Sequence, residues 1–352
     1  MASHLDSDIE PTRQFERRKQ DHIELALADR NQATGFSGLE KVELIHEALP
    51  ELDWEDISIE CASLKRKFST PFLISSMTAG HRDSISLNER LAVAAEERGW
   101  RMGVGSQRRE LGDAAAAQEW KRIRKLAKKV EIYGNLGLAQ VIHTPVEVVE
   151  RLVEALEASA MIVHLNALQE CIQPEGTPQF RGGIKALKKL VKKLSVPVIV
   201  KETGCGFSRY TLEALKGTGV AAVDVSGLGG THWGRIEGDR HSDGKVSRRV
   251  AETMAIWGHS TVDSVKAARE VKPDYEIWAS GGVRSGLDAA KLIALGATTI
   301  GLAAPVLAAA LQSDEELRLV METLEAELKV AMFCTGSAST RQLQRKKVWR
   351  WV

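Results

Sequence analysis

Eight short apolar, β-branched runs recur along this chain, and each ends in a polar or glycine-rich break. They cover residues 72–77, 102–107, 130–135, 161–166, 196–202, 221–226, 276–281 and 298–303. Between them lie amphipathic stretches whose spacing predicts helices over 88–98, 146–157, 184–194, 262–271 and 286–295. Short runs that are apolar on both faces are what parallel strands look like when helices cover them. Eight strand–helix units in roughly 250 residues predict the α/β class and, within it, a (β/α)8 TIM barrel. A doubly wound open sheet is the rival architecture.

The chain divides on this reading into an N-terminal extension (1–70), the barrel (71–335) and a C-terminal tail (336–352). The extension carries an expected helix over 17–29 and a short strand near 57–61. A long polar segment, 227–275, separates the sixth and seventh runs and includes THWGRIEGDRHSDGK from Thr231 to Lys245. In a barrel such an insertion sits on the loop face, where lids are found. The tail QRKKVWRWV is basic with two tryptophans and reads as a solvated or interface-forming end.

A formal net charge of +1 argues against a dominant nucleic-acid-binding face. No apolar run approaches the length needed to cross a bilayer, and the polar N-terminus does not read as a signal peptide. The four cysteines, Cys61, Cys171, Cys205 and Cys334, are far apart and form no CxxC pair. A reducing, cytoplasmic location is therefore expected.

The polar residues fall at the ends of the runs. Thr78 follows the first; Ser106, Gln107 and Arg108 mark the end of the second; Asn135 closes the third. His164 to Glu170 follow the fourth, Lys201 lies near the end of the fifth, and Ser226 closes the sixth. All these positions open onto the C-terminal mouth of a barrel, where active sites lie. The fourth is the densest: MIVHLNALQECIQPEG delivers His164, Asn166, Gln169, Glu170, Gln173 and Glu175 to one place. Such groups are costly to bury without partners, and oxygen ligands of this kind suit a hard cation such as Mg²⁺.

The segments ASGGVRSG (279–286) and GLAAPVL (301–307) close the seventh and eighth runs. Glycines let backbone N–H groups approach closely, and a helix start beyond them favours anionic oxygens, so a phosphorylated ligand or cofactor is expected there. Lys201 sits inside a mostly apolar strand and needs an anion or an electron-rich partner; a Schiff-base role is the competing chemistry. Cys205 has no activating histidine beside it in sequence, which argues against a nucleophile. On the N-terminal helix Arg18, Lys19 and His22 share one face and suit a diphosphate.

These motifs together resemble the FMN-dependent, type 2 isopentenyl-diphosphate isomerases. The resemblance runs from about Arg17 to Leu343 through RKQDHIEL, SSMTAG, GVGSQR, YGNLG, HLNALQECIQPEG, VIVKETGCG, DVSGLGGTHW, ASGGVRSG and GLAAPVL. SGGVRSG is shared by many flavin barrels, whereas the N-terminal RK…H combined with HLN..QE..QPEG is far more specific. The resemblance implies an FMN-binding barrel that interconverts isopentenyl and dimethylallyl diphosphate, and an assembly of four or eight subunits. It implies that Met77, Thr78, Ala79, Ser106, Asn135, Lys201, Ser226 and Thr231 surround the flavin ring and ribityl chain. Gly282, Val283, Arg284, Ala303 and Ala304 would hold its phosphate. Arg18, Lys19, Ser106, Gln107 and Arg108 would bind the diphosphate, helped by His22 and His164. Glu170 would hold Mg²⁺, and Gln169 would lie by the reacting alkene as the catalytic side chain.

The implied reaction moves a double bond with no net redox change. Reduced flavin would serve as the acid/base, with Lys201 stabilising its anionic form, and NADPH would be needed only to reduce FMN before turnover. Three other classes share parts of the pattern: an FMN-dependent 2-hydroxy-acid oxidase, a nucleotide dehydrogenase with Cys205 or Cys171 as nucleophile, and a noncatalytic flavin- or diphosphate-binding protein.

Overall fold

The computed structural model describes residues 21–77, 82–240 and 245–352. Each of the eight predicted runs overlaps a strand: β1 (Phe72–Ile74), β2 (Arg101–Gly103), β3 (Glu131–Gly137), β4 (Ala160–Leu165), β5 (Val198–Glu202), β6 (Ala222–Asp224), β7 (Glu276–Ala279) and β8 (Thr299–Leu302). All pair in parallel, and β8 returns to β1 through Ile300 opposite Phe72, which closes the barrel. Several strands stop short of the apolar run that signalled them. Met77 therefore lies in a loop at the mouth, and Gln107 opens a short 3-10 helix there, rather than either lying on a strand.

Registration of the strands places the chemistry. Opposite partners run Gly137–His164, His164–Lys201 and Lys201–Asp224 across β3 to β6, so these residues share one level near the C-terminal ends. Below them Leu73, Tyr133, Ile162, Ile199, Ala222 and Trp278 pack as a dry plug inside the barrel. The expected helices form at 146–156, 183–193, 261–270 and 286–295, and the first of the five extends back to Arg82.

A hairpin, Cys61–Ser63 with Arg66–Phe68, stoppers the opposite, N-terminal end. The expected strand near 57–61 thus begins at Cys61, while Ser58 forms an isolated bridge to Ser339. Its turn places Leu64 and Lys65 at positive φ (49° and 60°), an unfavourable geometry for side-chain-bearing residues. Glu276 at the foot of β7 offsets the strain by accepting from Leu64 N (2.7 Å) and Ser63 Oγ (2.6 Å). Arg101, fully buried beside it, donates to Pro71 O (2.9 Å) and Thr299 Oγ1 (3.0 Å) and lies 4.4 Å over the Phe68 ring.

The long segment after β6 is not a loop throughout. It contains two additional helices, Trp233–Arg240 and Lys245–Thr253, before the barrel helix Thr261–Glu270. The extension, helical over 21–27, docks on the first of these. His232 N donates to Asn31 O (2.8 Å), Ala33 N to Gly230 O (2.8 Å), and Arg30 pairs with Asp239 (2.6 Å). Extension and insertion thus form one cover over the mouth. The tail is tied down as well: Trp349–Trp351 pairs antiparallel with Val42–Leu44, and Arg350 pairs with Glu43 (2.8 Å). No helix among the described residues is long and apolar enough to cross a membrane.

Candidate active site

Beneath the cover a cavity opens at the strand ends, and three groups of side chains divide it by chemistry. The first is a cradle for an anion. Gly281 and Gly282 adopt φ of 95° and 78°, and a Cβ on them would lie 2.2 Å from Gly227 O and 2.7 Å from Gly229 O. Only glycine lets the loops after β6 and β7 meet backbone to backbone. The following helix, Gly286–Leu295, caps itself with Ser285 and Asp288, whereas helix Ala304–Gln312 begins with no side-chain cap. Its first residues, Ala304 and Pro305, line the cavity with Ala303, so the uncapped start of this helix faces the space, although Pro305 itself has no N–H to offer. Val283 and Arg284 line it too, and Arg284 Nη2 donates to Gln32 Oε1 (2.8 Å).

The second group forms a polar floor. Lys201 Nζ lies 2.6 Å from Asp224 Oδ2 and 2.7 Å from Ser280 Oγ, and Ser280 Oγ donates to Asp224 Oδ1 (2.8 Å). Lys201 and Ser280 face the cavity, while Asp224 stands behind them. Ser226 holds a left-handed φ of 34° with its N–H towards Asp224 Oδ1 (3.3 Å). Asn135 donates through Nδ2 to Val104 O (3.1 Å), and its Oδ1 meets His164 Nδ1 at 2.9 Å. Met77, Ser106, Asn135, His164, Ser226 and Thr231 all line the cavity. Ser75 and Ser76, also on the lining, bury hydroxyl oxygens that have no partner among the described residues. Uncapped N–H groups, a glycine cradle and orphaned hydroxyls fit a phosphate-bearing flavin such as FMN.

The third group faces the cover. Gln169 Nε2 donates to Glu237 Oε1 (2.8 Å), and the same oxygen meets His22 Nε2 at 2.9 Å. Arg240 pairs with Glu237 Oε2 and, at 2.9 Å, with Glu175. Glu170 accepts from Asn166 Nδ2 (2.9 Å) and from Thr177 N. Trp233 closes the space above, edge-on to His22 with ring centroids 5.1 Å apart. Arg108 lines the cavity without a hydrogen-bond or ion-pair partner among the described residues. Among the described residues no cluster of three or more His, Cys, Asp or Glu side chains is arranged to enclose a metal. One carboxylate, Glu170, with the nearby amides Gln169 and Gln173 fits Mg²⁺, which keeps waters and takes ligand phosphate oxygens rather than a closed protein cage.

The structure thus gathers His22, Ser106, Arg108, His164, Gln169 and Glu170 with the expected flavin-side residues around one space. Arg18, Lys19, Thr78 and Ala79 lie outside the described residues. Gln107 departs from expectation. Its side chain is fully buried and turned away from the cavity, because its amide bonds to Glu110 Oε2 (2.9 Å) and Asn135 N (3.1 Å) instead. In this arrangement its side-chain amide does not line the cavity.

Asp224, Ser280 and Glu237 escaped the reading of the sequence as site residues. Asp224 left a signal, a lone acid in the run AAVDVS, and it is the anion that Lys201 required. Glu237 left none, since its burial depends on a helix inside the insertion. Burial works to raise the Glu237 carboxyl, but His22, Arg240 and Gln169 outweigh it and hold the group down at about 2. Folding therefore favours the ionised form, and this stabilisation is present above about pH 4.5 and lost as pH falls towards 2. The gap corresponds to about 3 kcal/mol. Denaturant unfolding between pH 5 and 2.5 should show a shallower loss of stability in Glu237→Gln than in the parent, and parallel curves would contradict the assignment.

Two other buried acids have structural partners. Burial raises Glu202 to about 7 although Oε2 accepts from the N–H groups of Thr203 (2.7 Å), Gly204 (2.7 Å), Cys205 and Gly206 (3.0 Å). Burial likewise raises Glu110 to about 7, with Trp120 and Gln107 pulling the other way. Burial, with Glu202 nearby, pushes the Cys205 thiol well above its ordinary range, which agrees with its dismissal as a nucleophile. His232, buried behind Trp233, is lowered to about 4 by burial and is neutral at physiological pH.

Comparison with known proteins agrees with this geometry. The FMN-dependent dehydrogenase family matches residues 113–350, which sets the class of the barrel. A lactate oxidase of Pediococcus acidilactici superposes with a TM-score of 0.67 at 16% identity, over 97% of this chain and 93% of that one. A mandelate oxidase with (S)-2-phenylpropionate gives 0.63 at 18% identity, over 97% and 98%. Those two likenesses speak to fold alone. Sequence relatives are much nearer. Isopentenyl-diphosphate delta-isomerases of Legionella pneumophila (strain Corby) and Bdellovibrio bacteriovorus are 55% and 52% identical, over 95% and 96% of this chain and 97% and 99% of theirs. That of Archaeoglobus fulgidus is 43% identical over 95% of each. The chain belongs to the isopentenyl-diphosphate delta-isomerase family, in its FMN-dependent, type 2 form.

Proposed function

We propose that this chain interconverts isopentenyl and dimethylallyl diphosphate, with FMN in the cradle and Mg²⁺ at Glu170. The observation that carries the reading is a second polar pocket built over a flavin-type floor. There Arg108, a cation without a described partner, shares the cavity with the Gln169–Glu237–His22 cluster and Glu170. Reduced FMN, when bound, supplies the acid/base function that an alkene needs and no side chain here offers, and Mg²⁺ neutralises diphosphate charge.

The chain's own residues orient and exclude. Arg108 attracts the diphosphate. Gln169 is held by Glu237 with its Oε1 towards Asn166 Nδ2 (3.2 Å), which fixes its side chain for the hydrocarbon end of the substrate. Lys201 presents a fixed positive charge at the floor, braced by Asp224 and Ser280, where negative charge would develop on a bound ring. Trp233 and His22 cover the space and exclude water. Four unpaired, widely separated cysteines agree with a reducing, cytoplasmic setting.

Anaerobic turnover tests the reading. Purified protein should be yellow and, once reduced by NADPH or dithionite, should equilibrate isopentenyl diphosphate with only catalytic use of reductant. Bound FMN without turnover would make it a binding protein. Stoichiometric oxidation of a 2-hydroxy acid would move it to the oxidases instead.

A further inference from the structure

We propose that Glu110 is a positioning residue for substrate binding: it holds Gln107 and, through Gln107, the backbone of Asn135, so that Arg108 and His164 face the cavity. This deepens the isomerase reading and rests on it for the identity of the ligand.

After β2 the chain enters a short 3-10 helix, Gln107–Leu111. Side chains around it divide in destination: Ser106 and Arg108 line the cavity, while Gln107 and Glu110, one 3-10 turn apart, turn inward. Gln107 Nε2 donates to Glu110 Oε2 (2.9 Å) and, more weakly, to Leu152 O (3.5 Å), and Gln107 Oε1 accepts from Asn135 N (3.1 Å). Glu110 Oε1 accepts from Trp120 Nε1 (2.7 Å), which ties the helix Gln118–Leu126 into the same line. At the far end Asn135 Oδ1 meets His164 Nδ1 (2.9 Å) on the cavity wall. A Cβ at Gly134 would lie 2.8 Å from Gln107 Oε1, so glycine leaves room for the amide to cross β3.

The matching of donors and acceptors makes the line directional. Both carboxylate oxygens of Glu110 face N–H donors, and only a carboxylate supplies two acceptors there. An amide at 110 would set its –NH₂ against Trp120 or against Gln107. Turning the Gln107 amide over would only move the clash to Asn135 N–H. The mismatch therefore reaches the cavity from either end. Exchanging the two residues restores every pairing except the long contact to Leu152 O: Gln107→Glu then accepts from Glu110→Gln and from Asn135 N.

Steady-state kinetics on the FMN-loaded protein, above about pH 7 where Glu110 is ionised, test this. Glu110→Gln is expected to raise KM for isopentenyl diphosphate about tenfold with kcat within about threefold, and the double exchange to bring KM back within about threefold. FMN affinity should stay near that of the parent in both. Unchanged KM in Glu110→Gln, or a double exchange that is no better than the single change, overturns the proposal. Should Glu110→Gln not fold, the double exchange decides alone: folded with near-parental KM supports it, folded with raised KM overturns it. A parent holoenzyme that does not turn over isopentenyl diphosphate counts instead against the functional reading.

Discussion

Lys201→Met is expected to lower kcat by about three orders of magnitude, the largest effect of any single change in this barrel. Lys201 is the cation on the cavity floor, 2.6 Å from Asp224 and 2.7 Å from Ser280, and buried almost completely. Removing it takes away a preorganised charge in a site that excludes water, where such charges act most strongly. It also strands the buried Asp224 carboxylate, and breaking a buried pair from one side costs about 3–5 kcal/mol of stability. The two consequences can be separated. Lys201→Met combined with Asp224→Leu removes both charges and should recover most of the stability, because replacing a buried pair with apolar groups is often neutral. It should recover none of the turnover. Thermal unfolding and anaerobic turnover on the single and double variants check this. Activity of the single variant within tenfold of the parent would remove Lys201 from the catalytic account.

The second large effect is expected at Glu170. Glu170→Gln keeps the shape, but its amide has one oxygen where Asn166 Nδ2 and Thr177 N meet two, so one of those two contacts is lost as well. The negative charge is lost, and with it the one carboxylate placed to share Mg²⁺ with a diphosphate. A fall in kcat/KM of about a hundredfold is expected, with a higher Mg²⁺ concentration needed for half-maximal rate. FMN should remain bound, because the cradle at Gly281, Gly282 and Ala304 is built from other loops. Retained Mg²⁺-dependent activity would sink the metal role.

Much of the mouth was legible in the sequence because a barrel converts sequence order into position. Any residue just beyond a strand faces the same opening, so His164, Lys201, Ser226 and Arg284 could be gathered from run ends alone. Gln107 shows where that rule stops. It lies in such a position, but the five-residue 3-10 helix after β2 turns Gln107 and Glu110, one turn apart, inward, and the hydrogen bond between them keeps Gln107 there. Run ends predict which segment faces the mouth, not which side chains of a helical segment do.

By itself the sequence determined the barrel, since alternation of buried strands with amphipathic helices is written within windows of a dozen residues. It also determined that Lys201 needs a counter-charge, because a buried lysine is costly alone. Which residue answers that need was decided by the register that sets Lys201 beside Asp224 on the next strand. The His22–Glu237 contact, between residues 215 positions apart, was decided by docking the extension on a helix that the polar insertion did not advertise. Local periodicity specifies elements; partners far apart in the chain are specified only once packing has fixed strand register and brought the extension onto the mouth.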